Sequence, residues 1–279
     1  MTVDKGNRHI VLFSGGFDST LVLANLVREA SESDEPRRII ALSINHNLTG
    51  VHKLRREYES QCLIIRALRE KYPKVPILHE TISITSDWNI GYTANSKGLA
   101  QPILWACNVL PLLEDNDTLY TGYLQYDQVM LHMDNLNNLF KAALAIQENK
   151  KVYVEYPLKY FTKAHVLKQL LTNYEYLITY CISCENDLAE YKVCGSCTPC
   201  ITLKDALLSL WLNESSDISN KAHNMLKRLF NLNLAVIADD EIVTKASNDE
   251  ISMNQDSSSN DMPAEDAAEL ISDYDRCAD

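Results

Sequence analysis

Arg8-His9-Ile10-Val11-Leu12-Phe13-Ser14-Gly15-Gly16-Phe17-Asp18-Ser19-Thr20 is the stretch from which the fold is read. Residues 8 to 13 form a short apolar run that predicts a buried strand, stopped by a Ser-Gly-Gly turn. From Ser19 to Ala30 the apolar residues Leu21, Leu23, Leu26 and Val27 recur at helical spacing. Strand, loop and helix in that order let the loop amides and the first helical N–H groups converge on one point, where an anion fits.

Working outward, strands and helices alternate. Ile39 to Ile44 reads as a second strand, and a helical period runs from about Val51 to Tyr72 until Pro73 stops it. Strands follow at 77–84, 118–123 and 152–156, with helices at about 99–113 and 135–147 between them. A further helix is expected from Thr162, whose hydroxyl caps it, and closing helices at 201–212 and 220–230. This order predicts an α/β fold, a mainly parallel sheet with helices on both faces. Such sheets bind ligands at the carboxyl ends of their strands, and the first loop lies at such an end.

The 279 residues are 46% hydrophobic and 23% charged, which suits one large or two small folded domains and excludes wholesale disorder. No apolar run reaches the roughly 18 residues of a membrane helix, and the opening residues lack the basic and apolar regions of a leader, so a cytoplasmic protein without membrane partners is expected. The net charge of -12 is uneven: residues 239–279 hold 13 acids against Lys245 and Arg276, a net -11. The remaining 25 acids and 24 bases make a near-neutral body without the basic footprint of a nucleic-acid binder. The tail is expected to be disordered, as a solubilising extension or a partner-binding segment.

Two of the eight glycines, Gly15 and Gly16, sit in the first loop, where a missing Cβ lets backbone approach a phosphate. Ser14 and Ser19 add hydroxyl donors. Asp18 beside a phosphate nest needs a cation, and Mg2+ bridges carboxylates and nucleotide phosphates. GxxxxGK[ST] is absent, which disfavours a P-loop kinase or GTPase.

Five of the eight cysteines, Cys181, Cys184, Cys194, Cys197 and Cys200, fall within twenty residues. Cys194, Cys197 and Cys200 have CxxCxxC spacing with Cys184 upstream, four thiolates that suit tetrahedral zinc, with Cys181 spare or an alternate. An iron–sulfur cluster or a redox dithiol is also compatible with the spacing. Gly195 suits the positive φ of a metal knuckle and Pro199 stiffens the turn.

SGGFDS at 14–19 resembles the SGGxDS pyrophosphate loop (PP-loop) of the ATP pyrophosphatases, which split ATP between its α and β phosphates while adenylating an oxygen. Together with Pro157-Leu158, Thr162-Lys163, Ser183-Cys184 and the CGxCxxC cluster, it resembles the 7-cyano-7-deazaguanine synthase (QueC) family over about residues 8–212. The resemblance implies an adenine nucleotide alpha hydrolase-like, Rossmann-like core over 1–160, a helical zinc-binding segment over 161–238 and the acidic tail over 239–279. It implies ATP, Mg2+ and Zn2+ as cofactors. Ser14, Gly15, Gly16, Phe17, Asp18, Ser19 and Thr20 would hold ATP. Asp18 and Lys163 would serve catalysis, and Cys184, Cys194, Cys197 and Cys200 would bind zinc. Family enzymes adenylate the carboxylate of 7-carboxy-7-deazaguanine, form an amide with ammonia and dehydrate it to a nitrile with a second ATP.

The base-recognition region departs from the family. Its Arg-Asn pair is missing from Ser96-Lys97-Gly98-Leu99-Ala100-Gln101-Pro102, and Gly-Tyr-Pro-Asp-Cys-Arg is replaced by Gly122-Tyr123-Leu124-Gln125-Tyr126-Asp127. Asp127 is the substrate candidate, with Asp134 a weaker one. Such a chain reads as a divergent paralogue, and relatives of this kind occur in anti-phage defence systems. The acceptor is then a deazapurine carboxylate with ammonia, or an amine on a protein. A non-catalytic nucleotide-binding subunit is the reading from another class, and a homodimer is compatible with each. His46 reads either as a neighbour of the adenosine pocket or as an exposed strand-end residue. Trp88 reads either as a base-stacking group or as core, while Trp105 and Trp211 read as core or interface and Cys62 and Cys107 as buried fillers.

Overall fold

The computed structural model describes residues 8–34, 37–46, 51–84, 97–147, 150–186 and 193–230. Their order is β1 (Arg8–Leu12), α1 (Phe17–Glu32), β2 (Arg38–His46), α2 (Val51–Lys71), β3 (Ile77–Ile84), α3 (Lys97–Val109), β4 (Thr118–Tyr120), α4 (Met133–Ile146) and β5 (Tyr153–Glu155). α5 (Lys163–Asn173), α6 (Glu175–Ile178), α7 (Thr198–Asn213) and α8 (Ser216–Phe230) follow. The five strands form one parallel sheet in the order β3-β2-β1-β4-β5. Strand order reverses between β1 and β4, so the loops leaving these two strands open onto one crevice.

Alternation along the strands sorts the core. Val11 on β1 and Ile39 and Ala41 on β2 face Leu21, Leu23 and Val27 of α1 and Ile64 and Leu68 of α2. The same cluster takes in Leu167 and Leu170 of α5, Leu203 and Leu207 of α7 and Leu226 of α8, so the C-terminal helices share the core of the first two. Ile10, Leu12, Ile40 and Leu42 point the other way, onto Val109 of α3 and Phe140 and Leu144 of α4. Both faces are covered, as expected of strands this apolar.

The boundaries differ from expectation where tertiary contacts or turn chemistry decide them. α1 begins at Phe17, which puts Asp18 and Ser19 inside its first turn. β2 runs to His46, because its pairing with β3 continues from Ile39 to His46, so His46 is the last strand residue and does not lie beyond the strand. α3 gives way at Leu110 to a 3-10 turn over Leu110–Leu112, and another over Gln128–His132 precedes α4. α7 begins at Thr198, with Pro199 in its first turn, where the missing N–H costs nothing. Cys107 is exposed and Cys62 half-buried, so neither is the buried filler expected, whereas Trp105 and Trp211 pack against the two core clusters. The tail and Trp88 lie outside the described residues. No described helix is long and apolar enough to cross a membrane.

Candidate functional site

The loop after β1 rests on a hydrogen-bonded floor. Phe13 N–H donates to Leu42 O at 2.8 Å, and Phe13 O accepts the Ser43 hydroxyl, also at 2.8 Å. With its single hydrogen so used, Ser43 Oγ accepts from His79 Nε2 at 3.0 Å, which places a proton on that nitrogen. Burial, with Arg69 adding to it, lowers the His79 pKa to about 4.

Above this floor Gly15 sits at φ +76°. Gly16 N–H reaches Ser14 Oγ at 3.3 Å, the two serine oxygens lie 3.2 Å apart, and Ser19 Oγ donates to Gly16 O at 3.3 Å. Ser14 N–H closes the ring on Ser19 Oγ at 3.3 Å. These bonds are at the long end of the range, so the donors hold one another weakly and can be taken over by an anion. The α1 N-terminus, capped by no side chain, adds its free first-turn amides.

Lys163 reaches across from α5. Its Nζ lies 2.8 and 2.6 Å from the two Asp18 carboxylate oxygens, a pair separated by 145 residues in the chain. Thr162 caps α5 in a capping box with His165, which holds Lys163 as the first helical residue at the rim of the crevice. Phe17 and Thr20 are buried in the first turn of α1, and Thr20 N–H donates to Gly16 O at 3.0 Å, so neither side chain faces the open side of the loop. From the loop after β4, Gly122 packs on the same turn: a Cβ there would lie 3.1 Å from Ser19 N and 3.3 Å from Asp18 C. Asp127 accepts Leu124 N–H at 2.7 Å. Its pKa is raised, first by burial and then by the charge of Asp18, although the Leu124 amide and Lys163 pull it down. Asp18, Lys163 and Asp127 therefore share one electrostatic neighbourhood, whereas Asp134 is exposed on α4. His46 ends β2, but its side chain lies outside the described residues.

Cys184, Cys194, Cys197 and Cys200 place their sulfurs within 4.8 Å of one another. Cys184 follows α6, Cys194 and Cys197 flank Gly195 at φ +77°, and Cys200 lies in the first turn of α7. Cys181 is buried with its Sγ–H toward Leu177 O and stands outside the group. Burial raises the Cys184 and Cys200 thiols, so both resist ionising without a cation among them. Burial works against Cys194 as well, yet bonds from the Ser196 hydroxyl and amide and from Cys197 bring it down to about 5. One tetrahedral ion with bonds near 2.3 Å holds its sulfurs roughly 3.8 Å apart, close to the 4.0 Å between Cys194 and Cys200. A cubane gives each thiolate a separate iron and so spreads them further. The set fits a single metal ion.

Sequence reasoning does not single out Ser43 and His79 beneath the loop, nor Ser60 and Ile182, whose hydroxyl and amide both donate to Gly15 O, at 3.0 and 3.1 Å. Each meets the backbone of the loop, His79 by way of Ser43, at no fixed spacing from the motif.

Residues 116–210 match the family model described as queuosine biosynthesis protein QueC. That match bears out the resemblance over Pro157, Lys163 and all four clustered cysteines, and the loop at 14–19 lies outside it. Among solved structures the chain is similar to the U34-tRNA thiolase NcsA of Methanococcus maripaludis with its [4Fe-4S] cluster. The two are 17% identical, with a TM-score of 0.41 over 84% of this chain and 76% of that one. No curated protein matches.

Proposed function

We propose that the crevice binds ATP with Mg2+ and adenylates a carboxylate, which ammonia then converts to an amide, in the manner of QueC. The observation that carries this reading is the Asp18–Lys163 pair closed across a glycine loop at the point where strand order reverses. The loop amides and serine hydroxyls would take the phosphates. Asp18, now neutralised by one cation, would turn its carboxylate to Mg2+ while Lys163 moves its charge onto phosphate. The substrate carboxylate oxygen attacks the α-phosphorus, the bond to the bridging oxygen breaks and pyrophosphate leaves. Ammonia attacks the acyl carbon, expels AMP and loses a proton. No protein nucleophile is required, since positioning and charge neutralisation supply the catalysis.

Asp127, beside Asp18 in the loop that departs from the family, is the residue proposed to meet the acceptor, a 7-deazaguanine-type carboxylate. The four cysteines would hold zinc, which supplies a closed structural cross-link with no open position for water. Metal analysis should give one zinc per chain in a colourless protein, whereas a brown protein containing iron and sulfide would overturn the zinc assignment.

The experiment combines protein, Mg-ATP, ammonium and 7-carboxy-7-deazaguanine and follows AMP and the base by mass spectrometry, beside Asp18→Ala. Amide or nitrile formed only with Asp18 supports the reading. ATP binding without turnover overturns the small-molecule acceptor and directs the search to an amine on a protein. No ATP binding by folded, metal-loaded protein overturns the reading as a whole.

A further inference from the structure

The phosphate loop and the four-thiolate centre meet at one carbonyl. Gly15 O accepts Ile182 N–H at 3.1 Å, and Ser60 Oγ lies 3.0 Å from the same oxygen. Ser60 Oγ is also 2.6 Å from Tyr180 O, so its single hydrogen is shared between the loop and the segment that leads to Cys184. Arg56, one helical turn before Ser60 on α2, donates to Asn186 O at 2.6 Å. α2 therefore grips residues 180–186 on both sides of Cys184, which is itself a thiolate of the cluster. The contact is tight as well as polar. A Cβ on Gly15 would stand 2.8 Å from Ser60 Oγ, and one on Gly16 would stand 3.3 Å from Ile182 O.

Peptide geometry turns this junction into a device. Gly15 C=O and Gly16 N–H belong to one planar trans peptide unit and point in opposite directions. Pinning the carbonyl on Ser60 and Ile182 therefore aims the Gly16 N–H away from them, toward the Ser14 hydroxyl on the open side of the loop. That is the side on which an anion would sit. Anything that lets residues 180–186 relax frees the carbonyl and disperses the amide.

We infer that the four-thiolate centre sets the phosphate loop through Ser60 and Ile182, so that metal loading and nucleotide binding are thermodynamically coupled, with Ser60 as the positioning residue. The inference rests on the reading of the loop as an ATP site, and it makes the metal more than a cross-link at the head of α7. Coupling is reciprocal: if metal tightens nucleotide binding by some factor, nucleotide tightens metal binding by the same factor. A factor of about ten is expected, inside the usual range for coupled sites.

The test uses the full chain, loaded with Zn2+ or stripped by chelator, with circular dichroism to establish that both forms are folded. Calorimetric titration with Mg2+ and the α,β-methylene analogue of ATP should give about tenfold tighter binding to the loaded form. Ser60→Ala contacts no metal ligand. It should keep the metal stoichiometry, bind nucleotide more weakly and reduce the difference between loaded and stripped forms to less than twofold. Because stripped protein can unfold, a second arm keeps every sample loaded with Co2+ and reads the thiolate–cobalt absorption, which nucleotide should perturb in the wild type and leave unchanged in Ser60→Ala. Hydrogen exchange supplies the arm that does not need ATP: metal should slow exchange across residues 13–17 in the wild type and not in the variant. If no nucleotide binds yet the exchange effect is present, the functional reading fails and the nucleotide coupling with it, while the setting of the loop by the metal through Ser60 stands. Equal nucleotide affinity with and without metal in folded protein, or cobalt bands that respond alike in wild type and variant, overturns the coupling.

Discussion

Three glycines illustrate how differently one residue type can be required. Gly15 is needed twice, for its φ of +76° and because a Cβ would strike Ser60 Oγ at 2.8 Å. Gly122 is needed for space alone, its Cβ position lying 3.1 Å from the backbone nitrogen of Ser19. Gly195 is needed for its φ of +77° alone, with open space around it. Substitution by alanine should therefore rank them. Gly15→Ala is expected to weaken nucleotide binding by tenfold or more, since strain and clash both fall on the loop. Gly122→Ala should weaken it severalfold and cost about 1 kcal/mol of stability, as backbone gives way by a few tenths of an ångström. Gly195→Ala, at saturating metal, should leave nucleotide binding intact and weaken the metal, the left-handed conformation costing about 1–2 kcal/mol. Titrations with nucleotide and metal check the order, and equal losses at 15 and 195 would sink it. His79 adds a residue-scale prediction with a defined sign. Its folded value of about 4 lies below the unfolded value near 6.5, so the unfolded chain takes up the proton first. The contribution of His79 is complete above pH 6.5 and is lost as pH falls through 4, about 3 kcal/mol in all. His79→Gln, which keeps a donor for Ser43, should flatten the dependence of unfolding midpoint on pH across that window; identical slopes would refute the assignment. The motif residues were legible because their chemistry is rare and regularly spaced: glycines and an aspartate between strand and helix, cysteines at CxxCxxC. Ser43, Ser60 and His79 are ordinary polar residues whose role exists only once β2, β3 and α2 lie against the loop.

At the scale of elements, α5 shows how a local signal places Lys163 against Asp18. Thr162 Oγ1 accepts His165 N–H at 3.3 Å and His165 Nδ1 accepts Thr162 N–H at 3.1 Å, so both strands of the cap are closed. Lys163 follows at once, and its distance to Asp18 depends on where the helix starts. Thr162→Ala should cost about 1 kcal/mol of stability. It should also raise KM for Mg-ATP by more than that loss alone predicts, because a frayed first turn releases Lys163. Steady-state kinetics below the unfolding temperature check this, and an unchanged KM would mean that packing holds Lys163 without the cap. The cap was legible in the sequence, as were all five strands, since apolar periodicity dictates which face is buried. The 3-10 turns at 110–112 and 128–132 and the four-residue α6 were not. Segments this short contain no full period, and their conformation is settled by what they connect.

For the whole molecule, two cores on opposite faces of the sheet mean that a metal held by the four cysteines would act locally on a structure that is otherwise self-supporting. The cluster of α1, α2, α5, α7 and α8 on one face of the sheet and that of α3 and α4 on the other are both built from aliphatic burial and contain no cysteine ligand. The thiolates instead join the segment after α6 to the head of α7, where Cys200 is fully buried. Removing the ion leaves raised thiols at Cys184 and Cys200 and a cluster without a counter-charge, so chelation should lower the unfolding temperature by several degrees, a loss of about 2 kcal/mol or more at this chain length. The loss should be uneven. Hydrogen exchange after chelation is expected to accelerate over residues 181–186 and 193–202 and, through Ser60 and Ile182, over the loop at 14–19, while β2, α3 and α4 keep their protection. Uniform acceleration through both faces would mean that the metal supports the global fold, and no acceleration outside the cysteines would mean that the loop is held by α2 alone.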